Sequence, residues 1–430
     1  MSIFTKLMCA GIGVTLTLAA TTHATAAFVD GKLCYEPLDE RSCAVVAPTM
    51  GITYSGDVVI PEKAYDSSTD QYYNVVMISN FAFEECAEMT SITFPETLTT
   101  IQGNTFNYCT GLKSVTLPAS LKNFGHMVFA YSINIEEINV AEGNKYFKSI
   151  DGVLYDIAGE TVLQAPEKLT EIVVPEGVKK IGYAGFFNCT ELDQVVLPEG
   201  LEELENGSFM QCESLTSINI PSTVKTIGPW AFDHCLSLEE FVSGENVELI
   251  NSAAFQGCAN LKKFVAGDNL KTLGEGCFMG CFLLEYAYLG KSIETIGDST
   301  FETCTELTEL FVPTEKVPEV DVDTFCEENF KYTSLYLLDD SMQLFADDDI
   351  WSKFLNMKVY QDGVEDVLAT ATNLEINTCG ATLTATAAGE IRLYDIDGRL
   401  IAKSNDYLKA TPGNGLFIVK SGADVRKIRL

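Results

Sequence analysis

The chain has 430 residues, is 47% hydrophobic and carries 61 acidic against 28 basic side chains, a formal charge of −33. A chain this long and this apolar buries a sizeable core and is not disordered, while a surface this acidic excludes a phosphate-binding stripe for nucleic acid and unaided attraction to anionic lipid. Residues 367–430 hold eight basic against six acidic side chains, so the whole deficit lies in residues 1–366 and the shift marks a domain boundary.

At the N-terminus, Lys6, the apolar run Leu7 to Ala20 and the small-residue site Ala24-Thr25-Ala26 predict a secretory signal peptide over 1–26. The run is shorter than the roughly 20 residues a membrane span needs, so no transmembrane segment is expected once it is removed. Cys9 sits early in the run with no lipobox before it. Residues 27–77 then read as an N-terminal cap: Phe28 to Val46 alternate in strand fashion around Pro37-Leu38-Asp39, and a first strand edge needs covering. Cys34 and Cys43 flank that turn. In an exported chain they read either as a disulfide across the hairpin or as two unpaired thiols.

From 78 to 337 one pattern returns at a fixed interval. With Leu204 as anchor, Phe209 follows five residues on, Cys212 eight, Leu215 eleven, Ile218 fourteen and Ile220 sixteen, and Pro221 closes the unit. Anchors recur at Ile78, Ile101, Phe124, Ile181, Leu204, Ile227, Ile250, Leu273, Ile296 and Val320, with steps of 23 residues except 57 after Phe124 and 24 at the end. A period of this length with an L-x-x-I-x-I run predicts a leucine-rich-repeat solenoid. Leu215, Ile218 and Ile220 point inward from a short strand that Pro221 ends. Gly228 permits a turn, and Ala231, Phe232 and Cys235 fall at the spacing of a short helical or 3₁₀ turn. Stacked coils pair strand to strand about 4.8 Å apart, and stability is collective.

The I-G-x-x-A-F-x-x-C-x-x-L-x-x-V-x-I-P pattern, carried best by Ile227-Gly228, Ala231-Phe232, Cys235 and Leu238, resembles the BspA-type leucine-rich repeats of bacterial surface proteins over roughly residues 30–360. The resemblance implies the repeat class and, in general terms, adhesion.

Cys86, Cys109, Cys189, Cys212, Cys235, Cys258, Cys281 and Cys304 share one slot of the repeat, with Ser132 in the aberrant unit. They form a line, not a convergent ligand set, and are expected to be buried, reduced small hydrophobes, because an in-register stack gives poor disulfide torsions. The 57-residue step carries an irregular insertion over 141–173, with alternating runs Asp151 to Tyr155 and Thr161 to Leu163 about Gly159, expected to form two irregular coils bearing a hairpin. After Leu337 the period breaks; 338–366 read as a C-terminal cap, helical at Ser341 to Phe345 and filled by Trp351 and Phe354. Asp347 to Asp349 lack the spaced ligands of a calcium loop and read as a solvated face.

Residues 367–430 form a small β domain, read from alternation at Leu383 to Thr386, Ile391 to Tyr394 and Leu416 to Val419 with turns at Asp397-Gly398 and Pro412-Gly413. The runs Tyr394 to Arg399, Gly415 to Lys420 and Lys427 to Leu430 resemble the C-terminal sorting domains of the type IX secretion system in Bacteroidetes; this implies export across the outer membrane and attachment at its surface. An ordinary immunoglobulin-like module is the other reading. The fold class is therefore mainly β: a solenoid of 23-residue repeats with a parallel strand face, followed by a small β-sandwich.

Only three histidines occur, and His126 and His234 hold non-equivalent positions. No G-x-S-x-G, H-E-x-x-H or phosphate loop is present, so neither an enzyme nor a metal or cofactor is expected. What remains is surface. The third and fifth residues of each strand run should face solvent: small and polar in the N-terminal half, such as Ser91/Thr93 and Ser114/Thr116, then an outward column of Val242, Val265, Tyr288, Phe311 and Tyr336 with Tyr286 beside it. Exposed aromatics of this kind mark contact sites, although strand-favouring residues also simply fill pleated faces, and the tail domain offers an alternative cover. Three functions follow: a cell-surface scaffold that binds an extracellular protein in adhesin fashion, a glycan-binding module stacking sugars on Tyr286, Tyr288 and Tyr336, or a self-associating structural component.

Overall fold

A computed structural model describes residues 27–48 and 53–360, and beyond them five strands within 375–429; residues 1–26, where a signal peptide is expected, and the expected turn at Asp397-Gly398 lie outside the described residues. Two ladders of parallel strands run along the repeats. One is built of two-residue strands, Lys180–Ile181, Glu203–Leu204, Thr226–Ile227 and onward to Glu319–Val320, each anchor opposite the next. The other is the strand face, which runs in segments: Ser114–Leu117 with Glu137–Val140, then Glu171–Val173 through Ser217–Ile218, then Glu240–Val242 through Asn356–Val359. Equivalent residues meet in register, Phe241 opposite Phe264 and Val242 opposite Val265, because each coil adds the same number of residues.

Between the ladders the buried positions stack into rows. Phe186, Phe209, Phe232, Phe255, Phe278 and Phe301 form one, with neighbouring centroids 5.0–5.6 Å apart. Each such side chain contributes on the order of 1.5–3 kcal/mol by burial. Two large clusters fill the inside of the coils, one from Phe28 to Leu154 and one from Val153 to Phe354.

The turns of the repeat hold together by i to i+3 hydrogen bonds, such as Ala231 N–H to Gly228 O and Cys235 N–H to Phe232 O, but no helix forms there, because Trp230 (φ 53°) and His234 (φ 56°) are left-handed and interrupt each helical turn. Gly228 serves a purpose other than turn flexibility: a Cβ there would lie 2.6 Å from the Glu205 carbonyl carbon, so its lack of a side chain lets adjacent coils approach.

At the N-terminal end Phe28–Asp30, Leu33–Pro37 and Ser42–Val46 pair antiparallel, and the last of these joins Gln71–Ile78 in parallel, converting a meander into the first coil. At the other end Trp351 is fully buried, its Nε1–H donates to Pro318 O at 3.1 Å, and it packs edge-on against Phe325 and Phe345. Asp348 accepts from the Ile350 and Trp351 amides, so this carboxylate fixes a turn. In the small β domain Glu375–Cys379, Thr382–Asp395, Leu416–Ser421 and Asp424–Arg429 lie in that order, with Leu400–Ala410 also paired to Thr382–Asp395, all antiparallel. Among the described residues no helix is long and apolar enough to cross a membrane.

Cys34 and Cys43, read either as a disulfide or as two unpaired thiols, are not bridged. Cys34 lies opposite Val46 and Cys43 opposite Pro37, an offset of three residues or roughly 10 Å along the strands, beyond the reach of a disulfide. Cys43 is buried and its thiol is pushed up to about 12 by that burial.

Candidate functional site

The strand face carries the predicted contact residues, and the structure divides them. Val242 stands 46% exposed. Val265, Tyr288 and Phe311 are not exposed as expected: they are 3%, 3% and 1% accessible and form, with Tyr360, a cluster rimmed by the half-buried Tyr286, Tyr336 and Leu338. The cause is the chain just past the last strand, which sets the Tyr360 ring 6.4 Å from Tyr288 and 6.2 Å from Phe311, while Phe311 stacks on Tyr336 at 4.3 Å and 6°. The phenols are also engaged, Tyr288 donating to Asp268 at 2.9 Å and Tyr336 to Glu309 at 3.2 Å. Ammonium groups lie over the rim, Lys263 5.6 Å from the Tyr286 ring and Lys358 5.2 Å from that of Tyr336.

The remainder of the face is polar. Ser114, Thr116, Glu137, Asn219 and Glu240 are exposed. Ser91 and Thr90 both donate to Asp57 on the cap strand Gly56–Val59, holding its carboxyl below the usual carboxylate range. Val196, at a fifth position of its strand run where solvent exposure follows from alternation, is instead 3% exposed.

The slot cysteines are free and buried. Cys109, Cys212, Cys235, Cys258, Cys281 and Cys304 each donate S–H to the phenylalanine carbonyl 26 residues earlier at 3.0–3.5 Å. Ser132 makes the same bond to Phe106 at 2.7 Å. The slot therefore calls for a small donor as well as an apolar volume, and burial raises the thiols of Cys109, Cys212, Cys235, Cys281 and Cys304 above their ordinary range. A maleimide added to the folded protein is expected to modify the partly exposed Cys34 and Cys326 and to reach Cys212 and Cys235 only on unfolding; mass spectrometry of the labelled peptides checks this, and rapid native labelling of the slot would contradict it. Among the described residues no group of three or more His, Cys, Asp and Glu is placed to hold a metal.

One residue was not legible as special from the sequence. The coil between Val162 and Ile181 spans 19 residues where the regular coils span 23, and its turn is four residues short. In regular coils the amide before the slot cysteine donates to a carbonyl of the next turn, as Tyr108 to Ala130 and Gln211 to Asp233. At Tyr131 that turn is missing, and the carboxylate of Glu167 takes its place: Tyr131 N–H donates to Oε1 at 2.6 Å and Asn188 Nδ2 to Oε2 at 2.6 Å. Glu167 is 4% exposed, and burial pushes its carboxyl up to about 8 despite these bonds. Bulky side chains close the gap above it, with Tyr131 edge-on to Phe187 at 5.3 Å and His126 4.7 Å from Tyr183. His234 Nδ1–H donates to the buried Asp233 at 2.9 Å, a bond that raises the imidazole pKa.

The sequence profile of the BspA-type leucine-rich-repeat region matches residues 67–150, 159–281 and 225–343. Among solved structures, the pneumococcal vaccine antigen PcpA is 17% identical, with 79% of this chain and 100% of that one aligned at a TM-score of 0.52. A leucine-rich-repeat protein from Eubacterium ventriosum is 20% identical over 70% of this chain and 95% of that one, TM-score 0.49. A leucine-rich cell-surface protein from Faecalibacterium prausnitzii is 20% identical over 79% and 96%, TM-score 0.43. At these identities the first of them speaks to the fold. No curated protein matches the chain in sequence.

Proposed function

Because the chain belongs to the BspA-type leucine-rich-repeat family, we propose that it is an exported cell-surface scaffold that recognises an extracellular protein, in adhesin fashion, through the solvent side of its strand face. The observation that carries this is the register: from Glu240 to Val359 successive strands pair in parallel with equivalent residues opposite one another. That makes an extended, rigid surface of fixed side-chain spacing, suited to a broad macromolecular contact rather than to a small ligand. The accessible part of the column, Val242 with the half-buried Tyr286 and Tyr336, is the proposed contact; Val265, Tyr288 and Phe311 support it from beneath. Export rests on the signal-peptide pattern, and surface attachment on the resemblance of the tail to sorting domains.

The glycan reading is less favoured by the same geometry. Sugar stacking needs bare ring faces, whereas Tyr288 is buried and ammonium groups cover Tyr286 and Tyr336. The test is saturable binding of the chain lacking residues 1–26 to immobilised extracellular-matrix proteins and mucin glycans at physiological salt. Val242→Asp and Tyr286→Ala together are expected to weaken capture of a matrix protein by tenfold or more without shifting the unfolding midpoint. Capture of mucin glycans alone would favour the second reading, and unaltered binding by the double variant would remove the strand face from consideration.

A further inference from the structure

The turn side of the solenoid, opposite in role to the strand face, carries a second surface. Tyr108 and Tyr131 precede the slot residue in consecutive coils, and their rings stack at 4.7 Å and 6°. Tyr131 is held from behind by Phe187 and through its amide by Glu167. Tyr108 is 37% exposed, and among the described residues no ring or ammonium lies over its other face. Glu84 and Glu85 stand exposed at the matching positions one coil earlier, with no ion pair among the described residues. Their charges, together with that of Glu167, raise the Tyr108 phenol, after burial.

A second feature has the same polarity. Asn107, adjacent to Tyr108, is 7% exposed; its Nδ2 donates to Asn104 Oδ1 at 3.1 Å, while Oδ1 is buried with no hydrogen-bond partner among the described residues. Such an acceptor is costly to leave unmade. An open aromatic face and two exposed carboxylates present acceptors and negative potential together, with the unmatched amide oxygen buried beside them. The complementary group is planar, cationic and rich in N–H donors, which describes a guanidinium better than an ammonium.

We propose that the Tyr108 edge of the solenoid, with Glu84 and Glu85, docks an arginine side chain of a basic segment in a protein partner. The guanidinium stacks on the free face of Tyr108 while its N–H groups reach the carboxylates. This contact is independent of the strand-face reading, since it lies on other residues and needs no common partner.

The probe is a fluorescent octapeptide alternating Arg and Gly, compared with its Lys and Glu counterparts by anisotropy against the full chain at physiological salt. The arginine peptide is expected to bind, the lysine peptide several-fold more weakly and the glutamate peptide not at all. Tyr108→Leu, which keeps an apolar neighbour for Tyr131, and Glu84→Gln with Glu85→Gln should each weaken binding by roughly two- to fivefold, whereas Glu319→Gln at the far end should not. Absence of binding, equal binding of the lysine peptide, or equal losses from Glu319→Gln would each overturn the proposal, the last by showing general attraction to an acidic chain. Melting curves of the variants verify that they remain folded.

Discussion

Replacing Phe255 with alanine is expected to cost about 3–5 kcal/mol of stability, a value typical of a fully buried ring. The ring stacks on Phe232 and Phe278 at 5.3 and 5.6 Å and meets Phe241 and Phe264 edge-on at 4.5 and 5.7 Å, with no exposure. A stack fixed by backbone ladders on both sides cannot collapse into the space left behind, so both the transfer and the cavity components are lost. Urea unfolding followed by circular dichroism reads the effect as a fall in midpoint at unchanged slope. A loss below about 1 kcal/mol would mean that the phenylalanine row is not what holds these coils together.

The second large effect is pH-dependent. The Glu167 carboxyl is raised from an ordinary 4.5 to about 8, so the fold prefers the neutral acid. Its favourable contribution is fully present below about pH 4.5 and is lost as the pH rises through 8. The difference between these two values sets an upper bound of roughly 5 kcal/mol on the change across that window. Glu167→Gln keeps an acceptor for the Tyr131 amide without a charge, and Asn188 can turn its own amide to match. The variant is therefore expected to melt higher than the native chain at pH 8.5, with a gap that closes towards pH 5. Glu167→Ala, which orphans the Tyr131 N–H, should destabilise at both pH values. Identical pH profiles for native chain and Glu167→Gln would show that the carboxylate is already well solvated.

Most of the fold was legible because each coil repeats the same requirement. Leu215, Ile218 and Phe209 are buried at 0, 6 and 0%, as their spacing dictates, and the cysteine slot reads directly from its regularity. Its hydrogen-bonding role was hinted at by Ser132, the one substitution that retained a small donor. What the pattern could not supply were contacts made by residues outside it. Alternation decides which side of a strand a residue occupies, not whether something lies over that side; Tyr360, beyond the last repeat, covers Tyr288 and Phe311. Likewise Cys34 and Cys43 flank a turn, but the hairpin register, set by Pro37 opposite Cys43, decides which residues face each other. Glu167 was hidden by arithmetic: the 57-residue step conceals a 19-residue coil, and the visible trace was a ten-residue gap from Val162 to Ile172 where other coils have fourteen.

That short coil has a mechanical consequence. It follows directly on the hairpin where the two core clusters meet, with Leu154 facing one and Val153 and Tyr155 the other, and each cluster has its own terminal cap. In a linear stack, stability passes only between neighbours, so the division of the core here sets the boundary between two blocks of unequal length. Damage or pulling force applied to one end is then expected to be absorbed at the seam, so that one block can unfold while the other stays folded.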